Sequence, residues 1–289
     1  FTHKMNSTKE ARSILITGCS SGIGLAVAKG LHQRGYRVFA SARKKQDVVR
    51  IQQSGLQCLQ LDLADTDSIR VAVEQLLQQT DNQLYALINN AAYGQPGAVE
   101  DLPTGVLRKQ FETNLFGTHD LTRLLIPVLR TQARSHIIQI SSILGFICLP
   151  YRGAYNASKY ALEALTDTMR LELADSGINL SLVEPGPVAS RFRENAYRAF
   201  ITAIEPEDSL HKDAYEKEIQ RLQSDTPVPF TLPAEAVLEK TIHALESRKP
   251  RIRYTVTRPA QVLSFLKRIL PDRWMDAVLT SASGHKKTK

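Results

Sequence analysis

Short, almost wholly apolar runs alternate with longer segments of helical periodicity from one end of the chain to the other. Ser13-Ile-Leu-Ile-Thr17, Arg37-Val-Phe-Ala-Ser41 and Cys58-Leu-Gln-Leu61 are the first three runs. Leu84–Asn89, His136–Ser141 and Asn179–Val183 follow at similar intervals. They lack the alternation of a half-solvated strand, which is the pattern of strands covered on both faces. Between them lie amphipathic segments, Gly22–Gln33, Ser68–Gln79, Val106–Leu129 and Ala154–Ala174, whose apolar residues return every three or four positions. Strands separated by helices imply right-handed crossovers, hence an α/β fold built on a doubly wound parallel sheet. A seventh strand, Arg251–Val256, is predicted only after a long irregular stretch. No linker or repeat interrupts the pattern, and residues 1–289 are read as one domain.

The first strand runs into Thr17-Gly-Cys-Ser-Ser-Gly-Ile-Gly24. Glycines at 18, 22 and 24 let the backbone turn tightly and approach a pyrophosphate, and the helix that starts there points free N–H groups and a positive dipole end at it. Such a strand–glycine–helix unit predicts a Rossmann-like nucleotide site. The second strand ends at Ala42-Arg43. A carboxylate at 42 would select NAD through the ribose hydroxyls; Ala42 removes it, and Arg43 offers a fork suited to the 2′-phosphate of NADP(H). The competing reading of Arg43 is a solvated charge. Asp62, after the third strand, is placed either to accept from the adenine amine or to cap the next helix.

Tyr155 and Lys159 stand four apart within a strongly helical stretch, which brings their Cβ atoms to roughly 5–6 Å on one face. A phenol titrates near about 10, and an adjacent ammonium with a positively charged nicotinamide would pull it towards neutrality. Ser142 ends the fifth strand, 13 residues before Tyr155, at the sheet edge where open α/β sheets bind ligands. Asn114 interrupts the apolar helical positions Phe111, Leu115 and Phe116. A buried Asn needs partners, and a water held next to Lys159 would supply one.

With these residues in place the chain resembles the short-chain dehydrogenase/reductase family over nearly its whole length. Thr17–Gly24 matches the glycine signature, Asn89-Asn90-Ala91-Ala92 the turn after the fourth strand, and Pro185-Gly186-Pro187-Val188 the loop after the sixth. The resemblance implies a catalytic tetrad of Asn114, Ser142, Tyr155 and Lys159. It implies a cofactor site drawn from Gly18, Ser20, Ser21, Gly22, Ile23, Gly24, Arg43, Asp62, Leu63, Asn90, Tyr155, Lys159, Pro185, Gly186 and Val188. Within the family the chain looks like bacterial NADP-dependent aldehyde reductases and the hydroxysteroid and retinol dehydrogenases. Tyr155 would then pass its proton to the substrate oxygen, Ser142 would steady that oxygen, and Lys159 would hold the ribose. Oxidation of a retinol or hydroxysteroid is the alternative direction; a silent nucleotide sensor would have no reason to keep the four tetrad residues together, and a sugar-nucleotide epimerase has a shorter glycine spacing and a larger carboxyl-terminal domain. Ala92 stands where the family has glycine, at a cost of about 1 kcal/mol if that backbone lies at positive φ, with Gly94 taking over part of the turn. Ser190 replaces a usual threonine and keeps its hydroxyl.

Composition narrows the partners. Lys and Arg exceed Asp and Glu by 37 to 29, a formal +8, much of it after residue 247. No run of six basic residues accompanies it, and nucleic acid is not expected. Cys19, Cys58 and Cys148 have neither paired nor metal-ligand spacing, so no metal is expected. No stretch of 18 apolar residues and no secretory signal occurs, which makes the cytoplasm the expected location. Residues 188–232 are read, by resemblance, as a substrate lid, 1–12 as a flexible terminus and 257–289 as a C-terminal extension. Tyr93, Ile143, Leu144, Phe146, Ile147 and Leu149 beside the tetrad favour a hydrophobic carbonyl or alcohol, unless several are simply core. In the extension, Val262, Leu263, Phe265, Leu266, Ile269, Leu270 and Trp274 lie beside Lys267, Arg268 and Arg273. They are either a helix drawn to anionic lipid or one packed on the lid or a second subunit. Family members pair through the helices around Asn114 and Tyr155, so a homodimer or homotetramer is the implied assembly.

Overall fold

The computed structural model describes residues 12–282. The first half runs β1 (Ser13–Ile16), α1 (Gly22–Gln33), β2 (Arg37–Ala42), α2 (Lys45–Gln53), β3 (Gln57–Gln60), α3 (Thr66–Gln79), β4 (Ala86–Asn89), α4 (Thr104–Phe111) and α5 (Gly117–Leu129). The second runs β5 (Ser135–Ile140), α6 (Gly153–Glu172), β6 (Ile178–Glu184), α7 (Phe192–Ala203), α8 (Lys212–Gln223), α9 (Glu235–Glu246), β7 (Arg253–Thr255), α10 (Arg258–Ile269) and α11 (Asp272–Ala282). All seven strands pair in parallel, in the order β3-β2-β1-β4-β5-β6-β7, which is the doubly wound α/β architecture expected.

Strand periodicity explains the two cores. Ile14 and Ile16 of β1 face one side and join Val27, Leu31, Val237 and Leu245 under α1 and α9. Leu15 faces the other and joins Leu76, Leu87, Leu121 and Leu125 under α3 and α5. Because every strand is covered twice, the apolar runs were visible in the sequence. The strand order reverses between β1 and β4, and the crevice at the carboxyl ends there is where ligands bind in such sheets.

Three expectations change. Val106–Leu129 is not one helix: between α4 and α5 the segment Glu112–Phe116 switches to i→i+5 bonding, the Gly117 N–H reaching the Glu112 carbonyl. The helix-like tail 259–280 breaks at Pro271 into α10 and α11. Helices α2 and α9 were not anticipated. The expected flexible terminus 1–12 and the final basic residues Lys286, Lys287 and Lys289 lie, apart from Arg12, outside the described residues.

Candidate active site

The glycine turn forms a closed cradle. Gly18 sits at φ +71°, and a side chain there would meet the Ala91 Cα at 2.7 Å. A Cβ on Gly24 would lie 2.3 Å from the Gly18 carbonyl oxygen and 2.5 Å from Asn90 Nδ2. Asn90 donates through Nδ2 to the carbonyls of Thr17 (2.9 Å) and Gly18 (3.1 Å), and the Thr17 hydroxyl accepts from the N–H groups of Asn90 and Ala91. β1 and β4 are thereby locked across the switch point. Ser21, preceding α1, makes no side-chain cap, and the first turn of α1 carries no acid. Uncapped N–H groups without a repelling carboxylate suit a pyrophosphate. Ile23 packs on the core beneath. Arg50 donates to the Ser20 carbonyl at 2.7 Å and holds the loop from the far side.

The remaining nucleotide candidates line the same crevice by backbone or edge. Ala42 is buried and Arg43 exposed at the end of β2. The Asp62 carboxylate accepts from the Ala64 N–H at 3.0 Å, so part of it serves the local turn, while the cap of α3 is Asp65. Leu63 contributes its side chain to the core, and its carbonyl is what requires Gly117, where a Cβ would come within 1.7 Å. The Pro185 carbonyl accepts from Ile143, tying the loop after β6 to the segment after β5. Gly186 admits the Thr257 hydroxyl, and Val188 bridges Leu232. Ala92 is not at positive φ, so the anticipated strain is absent. Gly94 matters for a different reason: a Cβ there would strike the Phe192 ring at 2.6 Å.

Tyr155, Ser158, Lys159, Leu162 and Glu163 form the buried face of α6. Ser142, the residue capping a short turn after β5, accepts from the Leu144 N–H at 3.1 Å and lies near enough to the Tyr155 phenol to favour its charged form. Lys159 lies with Nζ 5.8 Å from the Tyr155 ring centroid and donates to the Ile140 carbonyl at 2.8 Å. Burial pushes the Tyr155 phenol up to about 12, against smaller downward pulls from Ser142 and Arg152. The expected depression by Lys159 is not seen in the chain alone: desolvation raises the phenol, and the opposing pulls come from Ser142 and Arg152. The Lys159 ammonium is itself pushed down to about 8 by burial, with Glu163 opposing.

Asn114 is brought to the same site, but its side chain does not reach out to hold a water. Its two amide hydrogens go to the Tyr93 carbonyl (2.9 Å) and the Ser158 hydroxyl (3.2 Å), and its oxygen accepts from the Tyr93 N–H (3.1 Å). Asn114 thus ties the turn after β4 to α6.

Two features were missed in the sequence. Phe192, the first residue of α7, stands edge-on to Tyr155 with ring centroids 5.2 Å apart. Behind Lys159, Arg253 of β7 contacts Glu163 (3.1 Å), Asp167 (2.6 Å) and Glu184 (3.1 Å). Arg170 adds a contact to Asp167 at 3.5 Å, and burial together with the Glu163 charge pushes Glu184 up to about 7. Folded Glu184 holds its proton more tightly than the unfolded chain, so stability falls as pH rises from about 4.5 to about 7 and levels off above that, by about 2–3 kcal/mol. Glu163, also raised mainly by burial, adds in the same direction. Denaturant unfolding on either side of this window should show the loss, and Glu184→Gln should shrink it; an unchanged pH dependence would remove Glu184 as its source.

A cavity of ≈ 740 Å³ opens beside this site, lined by Ile147, Leu149, Tyr151, Tyr160, Met275 and Leu279 among others. Ile147, Met275 and Leu279 also pack around Tyr155. Tyr155, Ser142 and Lys159 do not line the cavity; it meets α6 at Gly153, Asn156, Ala157 and Tyr160, and reaches the Tyr155 cluster through Ile147, Met275 and Leu279.

The family model described as short chain dehydrogenase matches residues 12–199. The uncharacterized oxidoreductase YbbO of Escherichia coli K12 is 40% identical over 275 residues, 93% of this chain and 94% of that one. The NADPH-dependent 3-dehydrocapnine reductase of Ornithobacterium rhinotracheale is 32% identical over 279 residues, 92% of this chain and 95% of that one. Among solved structures, a short chain dehydrogenase/reductase from Burkholderia phymatum in complex with NAD has a TM-score of 0.76 over 93% of this chain and 95% of that one. At 22% identity, that likeness speaks for the fold.

Proposed function

The chain belongs to the short-chain dehydrogenase family of oxidoreductases, and from that premise we propose that it is an NADP(H)-dependent reductase of hydrophobic aldehydes or ketones. The observation that carries this reading is the Ser142–Tyr155–Lys159 cluster buried at the carboxyl edge of the sheet, one crevice away from the glycine cradle. The glycine turn, Arg43, Asn90 and the 185–188 loop would hold NADPH, which when bound would supply the hydride. Tyr155 donates its proton to the substrate oxygen, and Ser142 donates a hydrogen bond to the same atom. Lys159 holds the ribose and favours the phenolate, while Asn114 positions α6 through Ser158. Phe192 and the rest of residues 188–232 act as a lid that excludes water. The apolar cluster that holds Tyr155 with Leu144, Ile147, Met275 and Leu279 supports a hydrophobic substrate, as does the likeness to the NADPH-dependent 3-dehydrocapnine reductase.

The same reading has the enzyme working in the cytoplasm as a homodimer or homotetramer. Exposed Phe116, Leu165 and Leu171, around α5 and α6, support such pairing. Among the described residues no helix is long and apolar enough to cross a membrane.

The test is oxidation of NADPH and of NADH followed by absorbance across aldehydes and ketones of graded apolarity. A 2′-phosphate paired with Arg43 is worth about 1.5–3 kcal/mol, so kcat/KM for NADPH should exceed that for NADH roughly tenfold to a hundredfold. Arg43→Ala should erase most of that preference and leave NADH kinetics alone. Adding Ala42→Asp should tip it towards NADH by repulsion. Equal kcat/KM for both cofactors in the unmodified enzyme would return Arg43 to a surface charge.

A further inference from the structure

Helices α10 and α11 bury one face and leave another open. The inner face, including Leu263, Leu266, Leu270, Met275 and Leu279, packs around Tyr155 and the segment after Ser142. The outer face presents Val262, Phe265 and Ile269 at helical spacing on α10, followed by Trp274 beyond the Pro271 turn. These four side chains are 56%, 62%, 57% and 67% exposed. Large apolar residues gathered this way mark an interaction surface rather than ordinary scatter. Arg258, Lys267, Arg268 and Arg273 are interleaved with them, against Asp272, which pairs with Lys267 at 3.7 Å, and Asp276.

We infer that this outer face docks on the surface of an anionic phospholipid bilayer. An amphipathic helix with aromatic residues on its apolar stripe and cations beside it is the arrangement that lies in the headgroup region. A second copy of the chain fits less well. A two-fold interface would set this cationic patch against the same cationic patch. The surface also has a direct line to the site: the helices whose outer face meets lipid have their inner face on Tyr155 and on the cavity wall. Docking would set the α10 and α11 wall of the cavity beside the bilayer, the place from which a carbonyl borne on a lipid chain would come. That corollary rests on the proposed substrate class, whereas the docking rests on the surface alone.

Trp274 is the only tryptophan of the chain, so its emission reports on this face specifically. The full chain is mixed with vesicles of phosphatidylcholine alone, or of phosphatidylcholine with phosphatidylglycerol, and followed by flotation and fluorescence. The expected result is co-flotation and a blue shift with the anionic vesicles only, reversed by salt. Arg258→Glu with Arg273→Glu, and separately Phe265→Ser with Ile269→Ser, should each lower partitioning about tenfold or more. Turnover of a small water-soluble aldehyde should be unchanged in both, which separates this result from failure of the enzymatic reading. No flotation with anionic vesicles, or flotation that neither pair of substitutions weakens, overturns the inference. A drop in sedimentation coefficient caused by Phe265→Ser with Ile269→Ser in the absence of lipid overturns it too, by making the face a subunit interface.

Discussion

Tyr155→Phe should lower carbonyl reduction at least about a hundredfold, the usual size of a general-acid contribution, while NADPH affinity stays close to that of the parent. The substitution removes one oxygen and keeps the ring, so the edge-on contact with Phe192 and the packing against Met275 and Leu279 survive. The fold should therefore be intact, and loss of turnover reports loss of the proton. The pH profile sharpens the test. In the chain alone the phenol sits near about 12, so over the neutral range it is protonated and competent as an acid for reduction. Reduction should then persist to alkaline pH as far as Tyr155 is concerned, whereas alcohol oxidation, which needs the phenolate, should rise with pH. Steady-state turnover in both directions for both proteins decides it. Near-parental turnover in the Phe variant would remove Tyr155 from the reaction and leave Ser142 as the nearest donor.

How much of this was readable beforehand follows from where each signal resides. The strands were legible because a doubly covered sheet forces whole segments to be apolar, and the cradle because only glycine tolerates the Gly18 conformation and the Gly24 approach. Ser142, Tyr155 and Lys159 were legible through spacing, since a helix turns a four-residue interval into a shared face. Helix α2 was missed because it buries a single large side chain, Ile51, and so shows almost no apolar stripe. The break near Asn114 was missed because one residue of extra register hardly disturbs periodicity; the visible clue was Gly117, next to a carbonyl that no Cβ could face. Asn114 itself was correctly seen as a buried amide in need of partners, but those partners, Tyr93 and Ser158, come from two other segments. Glu163, Asp167 and Arg253 are ordinary surface letters in sequence. Only the meeting of β6, β7 and α6 puts them into a charged layer behind Lys159. The same holds for Phe192, whose place over Tyr155 depends on the bare Gly94 opposite.

Lys159→Met should cost at least about a hundredfold in kcat/KM and, unlike Tyr155→Phe, should also weaken NADPH binding. The ammonium is buried, donates to the Ile140 carbonyl at 2.8 Å, and lies 5.8 Å from the Tyr155 ring centroid. In the proposed reaction it would hold the ribose and favour the phenolate. Burial gives the prediction a pH signature. An ammonium pushed down to about 8 is fully charged below that value and is lost as pH rises through it. If the charged form is the one that binds, NADPH affinity of the free enzyme should fall above about pH 8, approaching about tenfold per unit. Methionine has no proton to lose, so the variant should bind weakly at every pH and without that slope. Direct titration of NADPH across pH 6 to 10 for both proteins, roughly spanning the shift, supplies the readout. A slope above pH 8 that survives in Lys159→Met would assign the titration to another group, and unchanged affinity with lost turnover would confine Lys159 to tuning Tyr155.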